Sequence, residues 1–328
     1  MAMIVPAHWA EAREQVKHRG RRITVRRYGW SDESEAAAQA HAQARTREAL
    51  DAILAGADLP RRERRTNYGV AGVPIREQIV SRHDEVVVTR NSYGALCLNT
   101  PDVLFADIDL AEPPSGCVLP LAALAGLAAM GFAAGFALGH WALGIALAGV
   151  VVYAANAWLL RRRRAAHAGN GGAEARAFAP IEAFATAHPG CHLRVYRTPA
   201  GLRVLAMHRR FDPQEAEAAQ LFEALGTDPL YALMCRLQHC FRARLTPKPW
   251  RIGISRRIRP PVAAWSAGQA TLPGRLAWIA DYEARSAGHA ACRFLRALGD
   301  TTAVDPQAER VRALHDDLSR ANADLPLA

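Results

Sequence analysis

The sequence is almost without lysine. Only Lys17 and Lys248 are lysines among its 41 basic residues, the rest being arginine, and its net charge is +10. Arginine makes bidentate contacts with phosphate and carboxylate groups, so this composition favours anionic partners such as nucleotides, nucleic acid or acidic lipids. Codon bias in a GC-rich genome explains the same excess of arginine and alanine, so composition alone does not choose a ligand.

Several common site motifs are also missing. The sequence contains no P-loop, no dinucleotide-binding glycine fingerprint, no GxSxG and no HExxH. Its six cysteines form no CxxC pair, and Cys235, His239 and Cys240 are too sparse for a zinc site, so we expect reduced, buried cysteines. The first ten residues lack the long apolar core of a secretory signal peptide.

Two long apolar runs occupy the middle of the chain. Cys117–Leu138 has 22 residues without a charge, and Trp141–Leu160 adds 20 more after Gly139 and His140. Because about 20 helical residues cross a ~30 Å hydrocarbon layer, the sequence predicts a transmembrane helical hairpin over 117–160. A buried helical hairpin in a soluble core is the alternative.

The flanking charges predict the orientation of this hairpin. Arg161–Arg164 follows the second run directly, and the positive-inside rule places such a cluster in the cytoplasm. An even number of spans returns the chain to the side it left. We therefore expect a bacterial inner-membrane protein that contacts the lipid bilayer and has both termini in the cytoplasm.

The segments around the apolar runs predict an α+β core. From Phe105 onward, with the hairpin removed, the order is strand, helix, strand, strand, helix, strand, which is the ferredoxin/RRM-like βαββαβ order. Before it, Ile75–Ser81 is expected to be a short helix and Asn91–Pro101 a polar loop. The predicted strands of the core are Phe105–Leu110, His192–Thr198, Leu202–His208 and Phe241–Leu245.

These elements divide the chain into four regions. The tail shows two amphipathic patterns, Leu272–Leu298 and Asp305–Ala321, which predict packing helices, the first of them either continuous or broken. The expected regions are 1–111, an N-terminal α/β cytosolic region that ends in the DID strand; 117–160, the transmembrane hairpin; 176–252, the remainder of the α+β core; and 253–328, a C-terminal helical region.

The FADIDL strand carries two acids, Asp107 and Asp109. Residues two apart on a strand point to the same face. Paired carboxylates bind Mg²⁺ or Mn²⁺ in sites of phosphoryl and nucleotidyl transfer. We therefore interpret Asp107 and Asp109 as candidate catalytic residues and candidate metal ligands.

This region resembles the catalytic core of the archaeo-eukaryotic primase superfamily over about 100 residues outside the apolar runs. Asp107-Ile108-Asp109 matches the family's Asp-x-Asp strand, and Thr198–Arg203 stands where the family has a small residue followed by Gly-x-His. The resemblance implies that Arg203 takes the place of the histidine that contacts nucleotide phosphates. The further family acid has only Asp228 as a candidate. A degenerate, inactive relative is the alternative.

A second cluster lies in Cys240–Arg251. Arg242 and Arg244 alternate along one strand face, and Lys248 and Arg251 follow around two prolines. Together with Arg203, these cations are the candidate phosphate- or nucleotide-binding residues. The alternatives are an edge strand with solvated arginines and ion pairs between these cations and the two acids.

Two functions follow from these patterns. The first is a membrane-anchored cytosolic domain with a divalent-metal site for nucleotide or nucleic-acid phosphoryl transfer, which would make the protein a metal-dependent nucleotidyltransferase. The second is a non-catalytic membrane scaffold or sensor whose basic surface binds a partner, a nucleotide or anionic lipid.

Overall fold

The computed structural model describes residues 4–64, 70–169, 171–260 and 264–328 of the chain. These form two compact units, one made of residues 1–108 and 181–328 and the other of residues 109–180. The protein is a mixed α+β structure with antiparallel strand pairs and helices. The larger unit contains the strands and most of the candidate site residues.

A hairpin of β1 and β2 packs on helix α1 at the start of the larger unit. Ile23, Val25 and Leu50 form the buried contact between them. Gly29 lies so close to α1 that an added Cβ would be 2.1 Å from the Ala42 amide nitrogen. The elements are β1 (His8–His18), β2 (Arg21–Ser31) and α1 (Glu35–Leu54).

A second sheet has the strand order β3-β4-β5-β9. The Ile75–Ser81 segment, expected to be helical, contributes to strand β3, and the expected Asn91–Pro101 loop contains strand β5. Strand β5 was missed because asparagine is typical of loops, whereas Asn99 is fully buried and its side-chain amide donates to the Val87 carbonyl at 2.8 Å. The strands are β3 (Gln78–His83), β4 (Val86–Arg90), β5 (Leu96–Thr100) and β9 (Phe241–Arg244).

A third sheet has the order β10-β7-β8-β6. It brings together three of the four strands expected in one ferredoxin-like sheet, but β9 pairs with β5 in the second sheet instead. The edge next to β7 is occupied by β10, which lies inside the expected C-terminal helical region. The strands are β6 (Phe105–Asp109), β7 (His192–Arg197), β8 (Gly201–Ala206) and β10 (Arg293–Gly299).

The predicted tail helix over Leu272–Leu298 is wrong in its second half. The helix ends at Ser286, and β10 then pairs antiparallel with β7. Tertiary pairing decides this segment, because the edge of β7 needs hydrogen-bond partners for its backbone. The helices of the larger unit after β8 include α5 (Ala216–Leu225), α6 (Pro229–Gln238), a short 3₁₀ helix (Pro249–Ile252), α7 (Pro273–Ser286) and α8 (Pro306–Ser319).

The smaller unit contains the apolar runs as helices α2 (Leu121–Ala137) and α3 (Trp141–Ala168). They pack through glycine: a Cβ added to Gly144 would lie 2.6 Å from the Gly135 Cα. Within the described residues, one helix, which begins at Trp141, is long and apolar enough to cross a membrane, and α2 is a shorter apolar helix. Helix α4 (Gly172–Ala187) follows and contains the boundary between the units.

Candidate anion site

Asp107 lies on the buried strand β6. Its neighbours Phe105, Ala106 and Ile108 are buried, whereas the Asp107 side chain is 34 % exposed. The alternation of apolar and acidic residues therefore places the carboxylate at the edge of the core. Asp109 is exposed at the end of the strand, where the smaller unit begins.

The Asp107 carboxylate is held by Arg203 of β8. Arg203 Nε lies 2.7 Å from Asp107 Oδ1, and Nη2 lies 3.0 Å from Oδ2, which is a bidentate ion pair. Arg203 is only 1 % exposed. Burial by itself lowers the pKa of Arg203, but the Asp107 carboxylate outweighs it and raises that pKa above its usual range.

Arg203 also links the second and third sheets. Its Nη1 donates to the carbonyl of Arg244 on β9 at 2.9 Å and lies 3.4 Å from Nε2 of His315 on α8. The guanidinium is thus fully engaged inside the protein. The structure places this predicted phosphate ligand beneath Asp107, in a structural ion pair.

Tyr231 joins the same two sheets from helix α6. Its hydroxyl lies 2.9 Å from the carbonyl oxygen of Phe105 on β6 and 2.8 Å from that of Arg242 on β9. Burial raises the pKa of Tyr231, so the hydroxyl remains a proton donor. No pattern in the sequence indicates this role, because a tyrosine on an amphipathic helix is usually an ordinary core residue.

Arg242 is paired with a buried acid. Its Nη2 contacts Glu77 Oε2, which also accepts from the Thr89 hydroxyl at 2.7 Å. Burial lowers the pKa of Arg242, but the Glu77 carboxylate raises it more strongly, so the guanidinium stays charged. Glu77 was missed in the sequence, since it lies just before β3 in a segment expected to be helical.

Arg244 differs from Arg203 and Arg242 in its charge environment. It makes no ion pair with any described acidic residue, and its Nε is buried with no hydrogen-bond partner among the described residues. The hydroxyl of Tyr93 is its side-chain partner, and burial raises the pKa of Tyr93 so that this group stays neutral. Arg244 therefore contributes an uncompensated positive charge.

One cavity of about 150 Å³, which we call the Arg244 cavity, is lined by Tyr93, Asp107, Tyr231, Arg242 and Arg244 among others. Two of its charges are neutralised locally, Asp107 by Arg203 and Arg242 by Glu77. The charge of Arg244 is left over, so the cavity wall carries one net positive charge. The polar groups of the described wall, apart from the thiols, are Asn91, Tyr93, Asp107, Tyr231, Gln238, Arg242 and Arg244.

Three thiols complete the wall of the Arg244 cavity: Cys97, Cys235 and Cys240. All three are free and buried, as the sequence predicts. Burial raises the pKa of Cys240 to about 12 and also raises that of Cys235, so both remain neutral thiols at physiological pH. They therefore leave the net positive charge of the cavity unchanged.

Lys248 and Arg251 lie on the segment that follows β9. Lys248 Nζ is 5.5 Å from the centre of the Trp250 ring, and Trp250 is 57 % exposed. Trp250 in turn makes an edge contact with Tyr93, with ring centroids 5.4 Å apart. The structure thus connects Lys248 to the Arg244 cavity through two aromatic rings, whereas Arg251 is not among the lining residues of the described cavity.

Asp228, the candidate further acid, caps helix α6. Its carboxylate accepts from the Leu230 amide at 3.0 Å, and its own amide donates to the Asp107 carbonyl at 2.9 Å. Within the described residues, no group of three or more His, Cys, Asp or Glu side chains is arranged to hold a metal ion.

Compared with protein-family models, with curated proteins and with solved structures, the chain matches none of them.

Proposed function

We propose that this is a membrane-associated protein whose larger unit binds a small phosphorylated ligand, such as a nucleotide, in the Arg244 cavity. The observation that carries the proposal is the unpaired charge of Arg244 beside charges that are all paired. An arginine in such a wall offers several donors in a planar fork, which is the geometry that phosphate accepts. A bound anion would satisfy the buried Nε as well as the charge.

The size of the cavity limits what enters it. Its volume of about 150 Å³ is below the roughly 300–1,000 Å³ of pockets that enclose whole drug-sized ligands. A single phosphate group fits the cavity better than a complete nucleotide does. The remainder of the ligand would therefore lie outside, toward the rim.

The rim favours a nucleotide over a simple phosphate ester. Trp250 is exposed and rests on Tyr93, whose hydroxyl reaches Arg244. An exposed indole is a stacking surface for a base, and stacking contributes about 1–3 kcal/mol per base. Lys248 beside Trp250 adds a second cation for a further phosphate.

Isothermal titration of the full-length protein in neutral detergent with ATP and with inorganic phosphate tests this proposal. Arg244→Gln should weaken binding roughly tenfold to 100-fold, because a hydrogen bond to a charged group contributes about 1.5–3 kcal/mol. Arg236→Gln is the matched control, since Arg236 is exposed on α6 and loses the same charge. Equal affinities for wild type and Arg244→Gln would refute the cavity as the binding site.

Membrane association is proposed in the form of a two-helix hairpin over 117–160. Its support is the length of the two uncharged runs, the close glycine packing of α2 on α3 and the Arg161–Arg164 cluster. We propose an inner-membrane location with both termini cytoplasmic. Resistance to carbonate extraction, and cytoplasmic reporter activity at both termini, are the expected results; release by carbonate would overturn the hairpin.

Metal-dependent nucleotidyl transfer is the second candidate. It is favoured by the partial exposure of Asp107 in the wall that also carries Arg242 and Arg244. Asp107 and Asp109 would hold Mg²⁺ or Mn²⁺, and the metal would stabilise charge on the transferred group. The neighbouring strands β7, β8 and β6 support the ferredoxin-like order that a primase-like core needs, although β9 lies in the other sheet.

Mn²⁺ titration with and without ATP distinguishes the two candidates. The transfer reading predicts Mn²⁺ binding that tightens with ATP and is lost in both Asp107→Asn and Asp109→Asn. The binding-only proposal predicts that Asp109→Asn leaves ATP affinity unchanged, with or without Mn²⁺. Each variant must first be shown to be folded, because Asp107 also neutralises Arg203.

A further inference from the structure

A second basic feature lies away from the residues of the Arg244 cavity. It is a groove of about 1030 Å³ between the segment that follows the 3₁₀ helix and the first turns of α7. Its apolar lining includes Ile254, Leu272 and Trp278, and its charged lining includes Arg256, Arg257 and Arg259. We call this feature the arginine groove.

Three of the four arginines that line the arginine groove are exposed, and the fourth, Arg275, is buried and donates to Gln78 Oε1 at 2.8 Å. Arg256, Arg257 and Arg259 make no ion pair with any described acidic residue. Among the described residues that line the groove there is one acid, Asp281, whose Oδ1 accepts from Arg285 Nε at 2.9 Å. The groove therefore presents about three uncompensated positive charges.

The apolar side of the arginine groove is fixed in place. The Trp278 indole donates to the Arg256 carbonyl at 2.8 Å and stacks on the buried Tyr282, with ring centroids 5.2 Å apart. Leu272 is 41 % exposed next to it. A preformed apolar wall beside a cluster of cations is suited to an amphiphilic anion.

We infer that the arginine groove binds an anionic phospholipid, with the headgroup phosphate on Arg256, Arg257 and Arg259 and the first methylenes of the lipid against Leu272 and Trp278. The choice of lipid over other anions rests on the proposed membrane association. A chain with a membrane-length apolar helix is held at a high effective concentration of lipid headgroups. Clustered arginines near such a surface are attracted to acidic lipids.

Full-length protein in neutral detergent, titrated with monomeric dihexanoyl-phosphatidylglycerol and dihexanoyl-phosphatidylcholine, tests this inference by native mass spectrometry. The phosphatidylglycerol should bind more tightly. Replacing Arg256, Arg257 and Arg259 with Gln should weaken that binding roughly tenfold to 100-fold, since each cation contributes about a factor of five near an anionic surface.

The control variant removes the same charge elsewhere. Arg13, Arg21 and Arg22 are exposed on the β1–β2 hairpin, and their replacement by Gln should leave phosphatidylglycerol affinity unchanged. Equal losses in the two triple variants would reduce the effect to net charge and overturn the groove as a site. Equal binding of the two lipids would overturn the role of the anionic headgroup.

Three further measurements separate the alternatives. Leu272→Gln should weaken phosphatidylglycerol binding without changing the affinity for inorganic phosphate, and no effect on the lipid would overturn the apolar half of the site. Tighter binding of an octaglutamate peptide than of the lipid would assign the groove to a protein partner and overturn the lipid. Arg244→Gln should leave lipid binding intact, so that the inference and the nucleotide proposal fail independently.

Discussion

Removal of the Asp107 carboxylate is the sharpest test of the ion pair at the base of the candidate site. Asp107→Asn keeps the size of the side chain but leaves Arg203 with a neutral partner that can accept only part of its bidentate contact. Arg203 is 1 % exposed, so water cannot replace the lost charge. The substitution therefore leaves a buried cation without its carboxylate.

The magnitude follows from the exposure of the two partners. Breaking a fully buried ion pair costs about 3–5 kcal/mol, mostly through the charge that remains. Asp107 is 34 % exposed and already partly screened by solvent, which lowers the contribution of the ion pair to the free energy of unfolding. The remaining Arg203 hydrogen bond to the Arg244 carbonyl is unaffected. We expect Asp107→Asn to lower the free energy of unfolding by roughly 2–3 kcal/mol.

The assay is urea unfolding of the full-length protein in mild detergent, followed by circular dichroism. Asp51→Asn is the matched control, because Asp51 is exposed on α1 and makes no ion pair with a described residue, and it should change stability by no more than about 0.5 kcal/mol. Asp107→Asn combined with Arg203→Met removes both charges. The double variant should be more stable than Asp107→Asn alone.

Two results would refute this reasoning. If Asp107→Asn is no more destabilising than Asp51→Asn, the carboxylate does not neutralise Arg203. If adding Arg203→Met to Asp107→Asn recovers no stability, the unpaired buried charge is not the source of the loss. Either result would mean that Asp107 is not needed as the counter-charge of Arg203, and it would favour the metal-binding role that its strand position predicts.

Gly29→Ala should lower stability by about 1–3 kcal/mol in thermal unfolding, because the added Cβ would lie 2.1 Å from the Ala42 nitrogen. Gly190→Ala is the control and should not change stability, because its Cβ would meet open space. Equal melting temperatures for the two variants would contradict the close approach of β2 to α1. Gly144→Leu should lower the melting temperature in detergent, because the larger side chain would separate α2 from α3. Gly126→Leu is the control and should not lower it, because a Cβ added at Gly126 meets nothing within 4 Å. An unchanged melting temperature in Gly144→Leu would mean that the two helices do not pack at this position. Burial raises the pKa of Cys240 to about 12 from an ordinary value of about 8.5, so above pH ~9 the unfolded chain loses a proton that the folded chain keeps. The free energy of unfolding should therefore fall from pH 9 toward 12, and it should fall less steeply in Cys240→Ala. If urea unfolding at pH 8 and 10.5 shows the same change in stability for the wild type and for Cys240→Ala, this contribution is excluded.

Local sequence patterns correctly predicted the elements in which short-range preferences agree with the tertiary fold. The β7–β8 hairpin around Pro199 and Ala200, the β6 strand and the α6 helix all follow from periodicity and turn chemistry within a few residues. Helix α6 begins where Asp228 and Pro229 give a cap and a first turn. These predictions hold because short-range preferences and burial agree.

The segments that were predicted wrongly all form strands, and each is recognisable as a strand only once its pairing partners are known. Strand β5 holds buried Asn99 and Thr100, which read as loop residues until β4 and β9 supply their hydrogen bonds. Strand β10 follows an amphipathic helix and was read as its continuation, but pairing with β7 decides it. Local propensity gives way there to backbone hydrogen bonding across the sheet.

The sequence by itself determined the mixed α+β character, the two apolar runs and the buried state of most cysteines, because composition and periodicity report directly on burial. It also identified Asp107, Arg203, Arg242 and Arg244 as residues of interest. Only the tertiary structure decided which of these charges are already neutralised. Arg203 meets Asp107 and Arg242 meets Glu77 across distant parts of the chain, and Arg244 meets no described acid. Charge pairing depends on distances of a few ångströms between strands, which no spacing along the chain can supply.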